Sequence, residues 1–269
     1  MSLRLPLLRG LCGAVLAALS GSLAPAPAAA AEAVPVDLEL VLAADVSDSM
    51  DIKEQWLQRL GFAAAFRDAG IVKAITGGKL GRIAVTYIEW ADVGQPKVVA
   101  PWALIDGRAT AHAFAQALET TQLARMRKTS ISGALLFASH LIENNGFSGR
   151  RRIIDISGDG PNNQGAPVLR ARDEVVARGI VINGLPIQLE RKDKGRSLGA
   201  MFGTPFDTTK LDIYYEDCVI GGPGSFILPV KSLEAMADGI RNKLFAEIAG
   251  VPLPVVLLAA WRRPRRLAC

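Results

Sequence analysis

Three short stretches of this 269-residue chain carry oxygen donors at spacings that suit a hard metal ion. Asp45, Ser47 and Ser49 stand at alternate positions, Thr129 lies between Lys128 and Ser130, and Asp159 sits between Gly158 and Gly160. Carboxylate and hydroxyl oxygens favour Mg2+ or Ca2+ over zinc. Mg2+ takes oxygens in octahedral geometry and keeps waters readily. Two carboxylates, three hydroxyls and one open position would satisfy it. The plain alternative is that these residues only cap helices, as Asp and Ser commonly do. Capping accounts for one loop, not for three that converge.

Other candidates are weaker. Asp155 lies inside an apolar strand, and a buried carboxylate there is expected to serve in structural hydrogen bonding. Asn162 and Asn163 are candidate rim residues or an ordinary turn, and Glu89 with Trp90 either lines the site or finishes a strand. His112 and His140 have no second histidine at ligand spacing, which argues for packing rather than zinc. The chain has no Gly-x-Ser-x-Gly elbow, Walker loop or Rossmann glycine fingerprint.

The elements around these stretches must bring them together. Val36 to Ala44 is an apolar run broken only by Asp37 and Glu39, as a buried parallel strand would be, and it ends at Asp45. A helix is expected over 51–69, opened by Asp51 and Glu54 at capping-box spacing, with Trp56, Leu57, Leu60, Ala63 and Ala64 facing inward. Residues 82–90 and 97–105 read as a hairpin, hence an antiparallel pair. Helices follow over 110–118, 131–142 and 168–177, and strands over 152–157, 180–188 and 224–230. The stretch 190–209 is irregular and polar. The last helix, over 232–249, would turn Leu233, Met236, Ala237, Ile240, Leu244 and Ile248 inward. The expected fold class is α/β: a doubly wound, mostly parallel central sheet with one antiparallel edge strand and helices on both faces. In such a sheet a ligand sits beyond the carboxyl ends of the strands, where strand order reverses. The loops after the strands at 36–44 and 152–157 end there.

Composition sets the limits. Half of the residues are hydrophobic and 21% are charged, which excludes a disordered charged tail protein. The net charge of +5 comes from Arg4 and Arg9 at one end and Arg262, Arg263, Arg265 and Arg266 at the other. The segment between them is close to neutral, so nucleic acid is not an expected partner. Residues 1–31 read as a signal peptide with a basic start, a short apolar run and Ala-rich cleavage choices around 29–33, implying a periplasmic or secreted protein. The domain proper is expected over 34–249. An apolar-basic tail follows over 250–269, loosely resembling bacterial sorting tails through its Val251-to-Pro254 stretch, and any membrane contact would run through it. Cys12 belongs to the leader. Cys218 reads as a small buried residue, and a bond to Cys269 is open.

Asp45, Ser47, Ser49, Thr129 and Asp159, in that order, resemble the metal-ion-dependent adhesion site of von Willebrand factor A domains, and the resemblance spans 36–249. The strings Tyr87 to Trp90, Ile153 to Asn163 and Cys218 to Gly224 resemble a bacterial family of exported relatives with no established activity. The resemblance implies that Ser47, Ser49 and Thr129 give hydroxyl oxygens to the metal. Asp45 and Asp159 would act directly or through water, and Thr129 would coordinate mainly when a ligand is bound. The implied cofactor is Mg2+, with Ca2+ or Mn2+ as substitutes.

Two functions compete. A metal held mainly by neutral hydroxyls stays electrophilic and attracts an acidic group, so the first is a non-enzymatic binding module whose protein partner offers Asp or Glu. The second is a Mg2+ phosphatase of the haloacid dehalogenase type. Asp45 would be its nucleophile, and Gly158 to Asn163 resembles the late motif of that superfamily. Ser47, however, stands where its acid/base aspartate belongs, and Asn163 replaces the last aspartate of the motif. The binding module is the preferred reading.

Overall fold

β1 (Val34–Asp45) alternates its apolar side chains between two cores. Leu38, Leu40, Leu42 and Ala44 enter one, and Val41 and Ala43 enter the other. A strand covered on both faces reads as a nearly continuous apolar run. The computed structural model describes residues 32–94, 96–121, 128–189, 206–251 and 269. The chain divides into two units, Met1–Glu32 and Ala33–Cys269, and the architecture is that of the second.

The sheet has the order β3-β2-β1-β4-β5, with β2 spanning Ile83–Trp90, β3 Lys97–Ile105, β4 Phe147–Gly158 and β5 Val181–Pro186. β1 pairs in parallel with β2 and β4, β4 pairs in parallel with β5, and β3 alone is antiparallel, at the edge. The chain leaves β1 toward β2 on one side and returns to β4 on the other. The carboxyl ends of β1 and β4 therefore flank the topological switch point.

Helices cover both faces. One core gathers Phe62 and Phe66 of α1 (Ile52–Arg67), Ile71 and Ile75 of α2 (Ala69–Thr76), Phe114 and Leu118 of α3 (Arg108–Thr120), and Ile240 and Leu244 of the last helix. The other gathers Ile131 and Leu135 of α4 (Ile131–Glu143), Val168 and Val175 of α5 (Val168–Ala177), and residues of a helical run that starts at Leu211. That run is α6 (Leu211–Tyr214) continuing into a π-helical turn, Tyr215–Val219. The last helix is α7 (Met236–Ala249). Among the described residues, no helix is long and apolar enough to cross a membrane.

Several expectations need correction. The helix expected over 51–69 stops at Arg67, because Asp68 is extended and its carboxylate caps α2 by accepting from the N–H groups of Gly70 and Ile71. Its inner face is also different. Leu60 and Ala64 are exposed, while Gln55, Gln58, Arg59, Phe62 and Phe66 are buried. The capping box of Asp51 and Glu54 forms as expected. Residues 224–230 run beside β5 through isolated bridges at Ile227 and Val230 instead of a regular strand. Pro229 has no N–H to give a ladder. α7 starts at Met236, so Leu233 precedes it, and Ala237 is exposed. Cys218 is not a free apolar residue but forms a disulfide with Cys269, across a Cα–Cα distance of 5.7 Å. The leader expected over 1–31 and the tail residues 252–268 lie outside the described residues.

Candidate metal centre

The end of β1 turns back on itself at Asp45. Its carboxylate is fully buried, and Oδ1 accepts the Ser47 N–H at 2.8 Å. The hydroxyls of Ser47 and Ser49 share a hydrogen bond of 2.9 Å, and Ser49 Oγ donates to Asp159 Oδ1 at 2.5 Å. Four of the expected ligands thus form one chain across the switch point. The other carboxylate oxygen of Asp45, Oδ2, is buried with no hydrogen-bond partner.

Thr129 joins through the backbone of the 158–163 loop. Its N–H donates to Asn163 Oδ1 at 2.9 Å, and its carbonyl accepts from the Asn163 N–H, also at 2.9 Å. Ser130 caps α4 by accepting from the Gly133 N–H, and Asn162 Oδ1 accepts from the Ser132 N–H. Asn162 and Asn163 therefore lock the third loop onto the second. Glu89 forms a buried ion pair with Arg59, and Asp155 one with Lys243 at 2.6 Å, so both serve the core.

The electrostatics favour a cation. Burial, and then the nearby charge of Asp159, push the Asp45 carboxyl up to about 8, against the pull of its hydrogen bonds to Ser47 and to the Asp159 backbone. A buried carboxylate facing a second one, with an oxygen unpartnered, is stabilised by a divalent ion between them. Among the described residues no three His, Cys, Asp or Glu side chains gather around a metal-sized space. The donor set here is two carboxylates with hydroxyls, as a hard cation prefers. The residues present fit such an ion.

Two contributors escaped the sequence reading. Gln58 of α1 is fully buried; its Nε2 donates to Asp45 O at 3.1 Å, and its Oε1 accepts from Ser157 Oγ at 2.6 Å. Gln55 Nε2 donates to the carbonyls of Val46 and Met50, holding the Ser47 loop. Their only signal was a run of polar residues inside a helix whose buried face was assigned elsewhere.

A parallel sheet with one antiparallel edge and helices on both faces is a fold of the kind seen in von Willebrand factor A domains, here with carboxylate and hydroxyl loops at the switch point. Solved structures with this fold include proximal thread matrix protein 1 from the mussel byssus, at 15% identity and TM-score 0.53, covering 81% of this chain and 49% of that one. Another is the pilus adhesin SpaC from Lactobacillus rhamnosus GG, at 15% identity and TM-score 0.54, covering 80% of this chain and 30% of that one. A further structure of the byssus protein, at TM-score 0.50 and 15% identity over 81% of this chain and 49% of that one, has a zinc-occupied MIDAS motif. The chain spans about half of the byssus protein and under a third of the adhesin, and the likeness shows the fold alone. Residues 35–252 match the family described as protein of unknown function (DUF1194), and the chain belongs to that family. No curated protein matches it.

Proposed function

We propose that this is an exported, metal-dependent protein-binding module. Asp45, Ser47, Ser49, Thr129 and Asp159 would hold one divalent cation, Mg2+ in the first place, and a partner would engage it through an Asp or Glu side chain. The observation that carries the reading is the buried, unpartnered Asp45 Oδ2 beside the Ser47–Ser49–Asp159 chain. When bound, the ion supplies a positive charge to an incoming carboxylate. The chain's own residues orient the donors and bury Asp45 away from bulk solvent, which strengthens that attraction. The zinc-occupied motif in the byssus structure supports a divalent site in this fold. Export is supported by the expected leader and by the Cys218–Cys269 disulfide, which persists in oxidising compartments.

The phosphatase alternative gains nothing from the geometry. Ser47 Oγ bonds to Ser49, and Asn163 uses its side chain on the Thr129 N–H. Calorimetry on metal-stripped protein tests the site. Wild type should bind one Mg2+, and Asp45→Ala combined with Asp159→Ala should bind none; equal binding by the double variant would remove the assignment. For the partner, a pull-down from the exported fraction should lose its prey on adding chelator. Thr129→Ala should weaken partner capture more than metal binding.

A further inference from the structure

Tyr215 opens the π-helical turn that follows α6, and two glycines make room for it. A Cβ on Gly184 of β5 would lie 2.7 Å from the ring's Cδ1. A Cβ on Gly158, at the end of β4, would lie 2.8 Å from the Tyr215 hydroxyl and 2.8 Å from Asp45 Oδ2. The hydroxyl and that carboxylate oxygen therefore face the same small space above Gly158. Both are fully buried and neither has a hydrogen-bond partner. One is a donor and the other an acceptor. A tyrosine hydroxyl carries its proton at neutral pH, so it is available to donate.

A buried hydroxyl with no partner costs stability, and phenylalanine would fill the same ring site without that cost. The ring packing alone does not explain a tyrosine. We infer that Tyr215 is a further residue of the metal centre: its hydroxyl donates to a water of the bound ion's hydration shell that Asp45 Oδ2 also holds. A small polar space with a donor on one side and an acceptor on the other is where a water finds partners. Tyr215 is then a positioning residue, acting on the ion through that water as outer-shell partners commonly do. Its neighbour Tyr214 works on the same loop from the other side, accepting the Asn162 N–H at 3.1 Å. The inference rests on the metal reading above.

The test is Tyr215→Phe in the full chain, measured by calorimetry with Mn2+ on metal-stripped protein and by thermal melting in chelator. The expected result is Mn2+ affinity lower by about tenfold, the lower end of outer-shell losses. The melting temperature in chelator should equal or exceed that of wild type, because the unpartnered donor is gone. Gly158→Ala, which puts a methyl between the two oxygens, should weaken Mn2+ binding in the same direction. Wild-type affinity in either variant would overturn the inference while leaving the metal reading intact. A Tyr215→Phe protein that melts lower in chelator would assign the hydroxyl to folding and also overturn it. If wild type itself binds no Mn2+, the metal reading falls, and this inference with it.

Discussion

The amide of Gln58 lies between the two strand ends that carry the carboxylates, donating a hydrogen bond to Asp45 O and accepting one from Ser157 Oγ. Asp45 and Asp159 must stay a fixed distance apart to share an ion, and the β1–β4 ladder and the Ser49–Asp159 bond hold that spacing together with Gln58. Gln58 bridges it with one planar group. Replacing it with leucine keeps most of the volume but leaves the Asp45 carbonyl and the Ser157 hydroxyl without this partner. The expected cost is about 1–3 kcal/mol of unfolding free energy in chelator, the penalty of an unsatisfied buried polar group. Metal affinity should fall by about 10- to 100-fold, as for other outer-shell losses. Urea unfolding and calorimetry on the same preparation check both. A Gln58→Leu protein with reduced stability but wild-type affinity would show that the bridge serves the fold and not the centre.

At the scale of elements, the turn carrying Tyr215 is covalently anchored, because Cys218 is buried and bonded to the exposed Cys269. The bond closes a loop with a sequence separation of 51. A loop of that order restricts the unfolded chain, and Cys269→Ser should lower the unfolding free energy by about 2–4 kcal/mol. Reductant should do the same to wild type and leave the variant unmoved in urea melts; matching midpoints for the two oxidised proteins would remove this role for the bond. That pairing was not legible in the sequence, because two cysteines 51 residues apart fix no Cα separation. What was legible followed from local rules: the apolar run of β1, the Asp51–Glu54 box, the antiparallel β2–β3 pair, and the meeting of the loops that carry Asp45, Ser47, Ser49 and Asp159. The failures share a cause. Of the inner face expected for α1 at Trp56, Leu57, Leu60, Ala63 and Ala64, only Ala63 is fully buried, whereas the tertiary structure buries Gln55, Gln58 and Arg59 because strand ends and Glu89 are there as partners. A polar residue that is satisfied only across the fold looks, in sequence, like a surface residue.

For the whole domain, the docking of α7 on the sheet depends on charges buried at its centre. Lys243 Nζ pairs with Asp155 of β4 and with Glu247 one turn along, Asn183 of β5 donates to Glu247 Oε1 at 2.9 Å, and the Phe226 ring lies 5.6 Å from the ammonium. Arg151 closes the end of the helix by donating to the carbonyls of Glu247 and Ile248. The charged groups that face Glu247 are thus Asp155, Lys243 and Arg151. Burial, and then Asp155, push the Glu247 carboxyl up to about 8, more than Lys243 and Asn183 pull it down. An acid raised on folding binds its proton more tightly in the native state. Its contribution is whole below the unfolded value and is lost as pH rises through the folded one. Stability in chelator should therefore fall between about pH 5 and about pH 8, with a slope of up to about 1.4 kcal/mol per pH unit for each such proton. Asp45, raised in the same sense, adds to that slope in metal-free protein, so the informative comparison is with Glu247→Gln. Glutamine keeps the acceptor for Lys243 and Asn183 but cannot ionise. Urea melts across that range should give the variant a slope shallower by about one proton's share. Parallel slopes would mean that Glu247 is charged in the native state throughout, held by Lys243 despite its burial.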